Sequence, residues 1–290
     1  MKQPMPTTEI KVAASAEISP GAQLGPGCEI GPWSVVGPEV QLGPGCRLKS
    51  RVRLTGKVTA GENNIFQSGV IIGAREGEDQ PGSSERGQVK IGANNVFREY
   101  TIIYSSSREY GQRKQHLREK QTEIKQTEEK APVTIIGDNN FLMAYTVIKA
   151  GARLKDNINI ANATVVGDEA EIDSGAFLGG LCQLGPGVKQ GRLSMLGGHS
   201  YQRDDLPPFL LADGNPAALR GLNVIALRRA GYQHSDLKDL KNIYRQLYRS
   251  EEEGKLRQSQ LESLKDKDFP EPETALGEEL LVFLRRDKDE

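Results

Sequence analysis

Histidine, cysteine and tryptophan are scarce in this 290-residue chain, at three, three and one, and aromatic residues make up 6% of it. The cysteines, Cys28, Cys46 and Cys182, are too few and too widely spaced for a disulfide framework or a zinc cluster, and each reads as a small buried apolar residue. Neither sign of charge dominates: 38 basic against 39 acidic residues leave a net charge of -1. That excludes a global field for nucleic acid or an anionic membrane. No apolar run approaches the ~20 residues that cross a bilayer, and Met1 to Glu17 lacks the apolar core of a secretory signal. A cytoplasmic protein is expected.

What the chain does have is a period of six. Ile18, Leu24, Ile30, Val36, Leu42, Leu48 and Leu54 follow one another without a slip. Gly-Pro follows four of them, as in Gly25-Pro26 and Gly31-Pro32, and four residues after each aliphatic stands a small or β-branched residue such as Cys28, Ser34 or Val40. No α-helix has this period, and Gly-Pro at this density would break one. Short strands alternating with turns at six-residue spacing predict a parallel β-helix, with Gly and Pro at the corners and the aliphatic side chains inside. The phase returns at Ala60, Phe66 and Ile72, at Ile91, Phe97 and Ile103, and from Ile136 to Leu184; Gln190 interrupts it and Leu196 closes it. One hexad cannot bury its own apolar residue, so coils must stack. Three hexads per coil give about eight coils, and at ~4.8 Å per stacked strand a column about 40 Å long.

The prism is expected over 12–200, with loops at about 74–88 and 104–132. The longer loop is rich in Arg, Lys, Gln and Glu without an apolar stripe, and reads as a surface insertion. Three turns, Gly61-Glu62-Asn63-Asn64, Gly92-Ala93-Asn94-Asn95 and Gly137-Asp138-Asn139-Asn140, read as corners, because Asn tolerates left-handed backbone angles, in preference to a functional asparagine ladder. After Ser200 the period stops. Asp205 to Pro208 reads as a linker, and 215–290 as a small all-α domain. Helices are expected over Ala217 to Ala230, from a cap at Ser235 with Leu237, Leu240, Ile243, Tyr244 and Leu247 on one face, over Leu256 to Lys265, and over Ala275 to Arg286.

Two stretches exceed a generic repeat: Asp205-Leu206-Pro207-Pro208-Phe209 with Gly214-Asn215-Pro216-Ala217, and Gly221-Leu222-Asn223 running to Leu227-Arg228-Arg229-Ala230-Gly231-Tyr232. With Leu142-Met143 and the hexads, they resemble the UDP-N-acetylglucosamine O-acyltransferase family of lipid A biosynthesis. The resemblance implies a homotrimer of left-handed parallel β-helices with clefts between subunits. It implies transfer of a hydroxyacyl chain from acyl carrier protein to the sugar 3-hydroxyl of UDP-GlcNAc, with no cofactor or metal. That chemistry needs a general base for the hydroxyl proton and N–H donors for the oxyanion.

Carried over residue by residue, the resemblance places the oxyanion N–H at Gly167, donor and nucleotide contacts at Asn223 and Arg229, and room for a long acyl tail at Gly198. A sugar-contacting acid falls near Glu78, where the lysine of the pair falls on Gln80. The family's catalytic histidine falls on Ala150, and further cleft histidines fall on Val147, Asp168 and Gly185. His116, in the long insertion, is a candidate substitute base. His199 is expected on the outside of the last coil and His234 at a helix entry. A zinc-dependent carbonic anhydrase on the same prism needs three converging histidines and is excluded, because only His199 lies in the coils. Two readings follow: an acyl-ACP-dependent O-acyltransferase with an altered catalytic apparatus, or a non-catalytic trimeric paralogue that binds a nucleotide-sugar, an acyl carrier protein or a protein partner. No nucleic-acid partner and no integral membrane segment are expected.

Overall fold

The computed structural model describes residues 8–75, 87–105, 133–248 and 270–286. Most strands are two residues long and pair in parallel with the strand eighteen residues on, as Glu29 with Arg47, Val35 with Arg53 and Gln41 with Thr59. Every third strand therefore joins the same sheet. The three sheets hold eleven, nine and eight strands and form the first, second and third faces of a triangular column. The architecture is a left-handed parallel β-helix, a hand opposite to the usual crossover rule.

Each hexad has one geometry. The aliphatic residue points inward, and Ile30, Val36, Leu42, Leu48 and Leu54 are all buried. The small residue four positions on also points inward, including Cys28, Cys46 and Cys182, all three free and buried. Between them, the residue with left-handed backbone makes the corner: Trp33 (φ 60°), Arg51 (φ 56°), Tyr100 (φ 60°), Tyr145 (φ 62°). The glycine directly after the aliphatic residue has a different job from the corner-making expected of it. A Cβ on Gly25 would stand 2.6 Å from the backbone of Gly43 and Pro44, so glycine there lets successive coils close on each other.

The second asparagine of each Asn-Asn pair occupies the inward slot. Asn64, Asn95 and Asn140 are buried and form a ladder through the column. Asn95 donates from Nδ2 to Asn64 Oδ1 (3.0 Å) and to the Gly137 carbonyl (2.9 Å). The Asn140 N–H donates to Asn95 Oδ1 (2.8 Å), and the Ile158 N–H to Asn140 Oδ1 (2.8 Å). The first asparagines, Asn63, Asn94 and Asn139, have left-handed φ of 57–58° and are the corners.

Both insertions leave the same edge on successive coils. Ile71 pairs with Ile102, thirty-one residues on, and Val89 pairs with Thr134, forty-five residues on, where other coils advance by eighteen. The chain departs after Arg75 and after Ser105 on the second face and rejoins at Gln88 and Thr134 on the third. Residues 76–86 and 106–132, most of both loops, lie outside the described residues.

The C-terminal part departs from expectation at two places. Leu206, Pro207 and Pro208 are buried, and Asp205 accepts the Lys189 N–H (2.6 Å), so this segment roofs the column and is not a free linker. Ala217–Leu222, expected to be helical, is a strand antiparallel to Leu210–Gly214, which itself adds to the first face beside Met195–Leu196. Gly214 at φ 103° and Pro216 turn the chain into this hairpin, and sheet pairing overrides the helical bias of Ala-Ala-Leu-Arg. Helix begins only at Val224–Arg229, followed by His234–Tyr248 and Ala275–Arg286. Ser235 lies inside the second of these. Its entry is fixed by the Gln233 N–H donating to the Asp236 carboxylate (2.9 Å), the reciprocal half of a capping box. The expected helix over Leu256 to Lys265 lies outside the described residues. Leu237, Leu240, Ile243 and Leu247 pack with Leu276, Leu280, Leu281 and Leu284, as their spacing predicted.

Candidate active site

The edge between the second and third faces, which releases both insertions, continues upward through Lys149-Ala150-Gly151, Gly167-Asp168-Glu169 and Gly185-Pro186-Gly187. The fold thus stacks Ala150, Gly167, Asp168 and Gly185 on successive coils directly after the loops that carry Glu78 and His116. Those last two side chains lie outside the described residues.

Ala150 is 3% exposed, and its carbonyl accepts the Glu169 N–H (3.0 Å). A methyl group can neither accept nor deliver a proton. Thr134 braces this turn from below: its Oγ1 donates to the Tyr104 carbonyl (2.8 Å) and accepts the Gly151 N–H (3.0 Å). Lys149 Nζ rests 5.1 Å from the Tyr104 ring centroid, a contact that engages the ammonium as a cation. Gly167 faces the next coil so closely that a Cβ would come within 2.7 Å of the Leu184 and Gly185 carbonyls, so coil packing alone already demands glycine.

The remaining candidates lie elsewhere. Gly198 is on the edge between the first and second faces, and its nearest neighbour for an added Cβ is the Gly180 carbonyl at 3.4 Å, so this glycine leaves open space that packing does not require. His199, next to it, is exposed at φ 58° and makes the corner, as expected of an outward residue. Asn223 is buried and works as a pin: its Nδ2 donates to the Leu193 carbonyl (2.9 Å), its N–H to Phe209 (2.7 Å), and its Oδ1 caps the first helix at Ala226 (3.3 Å). Arg229 is exposed in the last turn of that helix.

The sequence reading missed Arg192. It clamps the helical part to the column with a two-bond grip on Glu279 (2.8 and 2.5 Å), a bond to the Tyr232 hydroxyl (2.8 Å) and its guanidinium 4.9 Å from the Phe209 ring. The paired carboxylate holds the guanidinium charged more firmly than usual. The only signal was the end of the hexad phase at the neighbouring Gln190.

The second-domain model of UDP N-acetylglucosamine O-acyltransferase matches residues 205–289, and the bacterial transferase hexapeptide model matches 21–56. The acyl-[acyl-carrier-protein]–UDP-N-acetylglucosamine O-acyltransferase of Gloeothece citriformis is 33% identical over 212 residues, covering 73% of this chain and 69% of the relative. The chain belongs to the UDP-N-acetylglucosamine O-acyltransferase family. The relative from Aliarcobacter butzleri is 34% identical over 72% of this chain and 71% of its own. The solved acyltransferase of Campylobacter jejuni is 26% identical, with a TM-score of 0.74 over 94% of this chain and 95% of that one. Family membership therefore spans both the column and the helical part.

Proposed function

We propose that this protein is an acyl-ACP-dependent O-acyltransferase acting on a UDP-amino-sugar, working as a homotrimer with a weakened proton-transfer step. The observation that carries the reading is similarity to the family in both the column and the helical part at once. In the reaction, a sugar hydroxyl attacks the thioester carbonyl, the hydroxyl proton passes to a base, and the carrier thiol leaves with a proton. Gly167 would offer its N–H to the oxyanion, Gly198 would leave space for the acyl tail, and Arg229 would face the nucleotide, while Asn223, expected at the donor, is engaged in holding the helix that carries Arg229. Glu78 would contact the sugar and His116 is the candidate base, both carried by loops that start on the edge of Ala150.

The trimer has its own support in the distribution of apolar surface. The outward residues of the second face include Val35, Ile71, Ile102, Val147 and Val165, and those of the first include Ile65, Val96, Phe141, Phe177 and Met195. The edge between them carries Trp33, Tyr100, Tyr145 and Leu181, each more than half exposed, with Tyr100 and Tyr145 stacked at 5.2 Å. The third face is mainly polar: Gln23, Gln41, Lys90, Arg153, Glu171 and Lys189. An apolar edge between two apolar faces fits a wedge whose edge turns toward a threefold axis.

One feature favours the second reading, a non-catalytic paralogue: Ala150, to which the resemblance assigns the base, is a buried methyl group. Losing a general base costs about two to four orders of magnitude in rate. The test is purified full-length protein with acyl-ACP and UDP-GlcNAc, with turnover and binding measured side by side. Slow, saturable turnover supports the enzyme. Binding of either substrate without turnover supports the paralogue.

A further inference from the structure

One coil low on the column concentrates positive charge. Arg47, Lys49, Arg51, Arg53 and Lys57 fall within eleven residues, and all are exposed. Arg47 has Glu29 at 3.9 Å. Among the described residues, no carboxylate lies within ion-pair distance of Lys49, Arg51 or Arg53. Their surroundings are not those of a solvated charged face. Arg53 stands between Val35 and Ile71 on the second face. Arg51 makes the corner on the edge that otherwise carries Trp33, Tyr100 and Tyr145; its N–H donates to the Pro32 carbonyl (2.9 Å), and the Gly69 N–H above donates to Ser50 (3.0 Å). A groove of about 660 Å³ opens beside them, lined by Lys11, Lys49, Ser50 and Ser68 and by Glu29, the carboxylate near Arg47, with the two serine hydroxyls 2.9 Å apart.

We propose that, in the trimer, Lys49, Arg51 and Arg53 of three copies converge on the axis and bind a multivalent phosphate-type oxyanion. This rests on the trimeric reading above. The apolar edge turned inward would carry these cations with it, because all three lie on or beside that edge. Like charges brought together without a counter-ion repel, and the flanking Val35, Ile71 and Trp33 lower the local dielectric and sharpen the repulsion. A phosphate-type anion reverses the sign: guanidinium forks match its oxygens two at a time, and hydroxyl donors such as Ser50 complete the set. Arginine keeps its charge throughout the accessible pH range, so occupancy follows the protonation of the anion and not of the protein.

The test uses full-length protein at low ionic strength, with oligomeric mass by light scattering and the thermal unfolding midpoint measured with pyrophosphate or with sodium chloride of equal ionic strength. The expected result is a trimer whose midpoint rises saturably with pyrophosphate and much less with chloride. Arg51→Gln should raise the midpoint of the anion-free trimer, by relieving repulsion, and abolish the pyrophosphate shift; Arg51→Lys should keep part of it. A trimer that responds equally to both salts, or Arg51→Gln that keeps the full pyrophosphate shift, overturns the site while leaving the trimer standing. A chain that stays monomeric overturns the trimeric reading and this site with it.

Discussion

Asn95 illustrates how single residues hold this column together. Its side chain spans two coil junctions, receiving the Asn140 N–H and giving to Asn64 and Gly137. Asn95→Ala orphans buried groups on both neighbouring coils, at about 1–3 kcal/mol for each one left unpaired. Chemical denaturation of the variant should show a lower midpoint with an unchanged slope. The sequence disclosed half of this device. The left-handed corners at Asn63, Asn94 and Asn139 were legible, because asparagine favours that backbone. The ladder of Asn64, Asn95 and Asn140 was set below the corner-turn reading, although the six-residue phase already placed them in the inward slot of Cys28 and Cys46. Site residues were less legible still. Gly167 looks the same whether glycine serves an oxyanion or close coils, and only the 2.7 Å approach to Leu184 and Gly185 reveals the second demand.

Among the elements, the hexads were read almost completely, since a fixed inward aliphatic at every sixth place leaves no other solution. The last described helix, Ala275–Arg286, was read to its ends from its leucines. Ala217–Leu222 was misread, because helix propensity is a weak prior against a partner strand that the local sequence does not announce. The start of the helix Ala275–Arg286 depends equally on a distant residue. Asp239, buried on the second helix, accepts the N–H groups of Glu273 (3.1 Å) and Thr274 (2.9 Å) and the Thr274 hydroxyl (2.7 Å), while Gly277 lies against the same carboxylate. Asp239→Ala should cost about 1–3 kcal/mol and loosen the helical part first. Hydrogen exchange should then accelerate over Ala275 to Leu284 while the coils stay protected.

Across the whole molecule, two apolar faces and the edge between them set one side of the column apart from its polar third face. If that side is the subunit interface, Tyr145→Asp puts a carboxylate into the stack with Tyr100 and should shift the protein toward monomer by light scattering, without loss of β-structure by circular dichroism. In the same assembly, the edge bearing Ala150, where the two insertions leave the column, would border a cleft with the neighbouring copy. Column and helical part then resemble an acyltransferase, while the positions that the resemblance assigns to the base, to further cleft histidines and to a sugar-contacting lysine hold Ala150, Val147, Asp168, Gly185 and Gln80.

Turnover of acyl-ACP and UDP-GlcNAc by the native protein beside Ala150→His tests that claim most directly. We predict slow native turnover and a gain of roughly a hundredfold or more in the variant. The gained rate should rise with pH through about 6.5, as a neutral imidazole becomes available. A variant that folds and trimerises like the native chain yet turns over no faster would contradict the account.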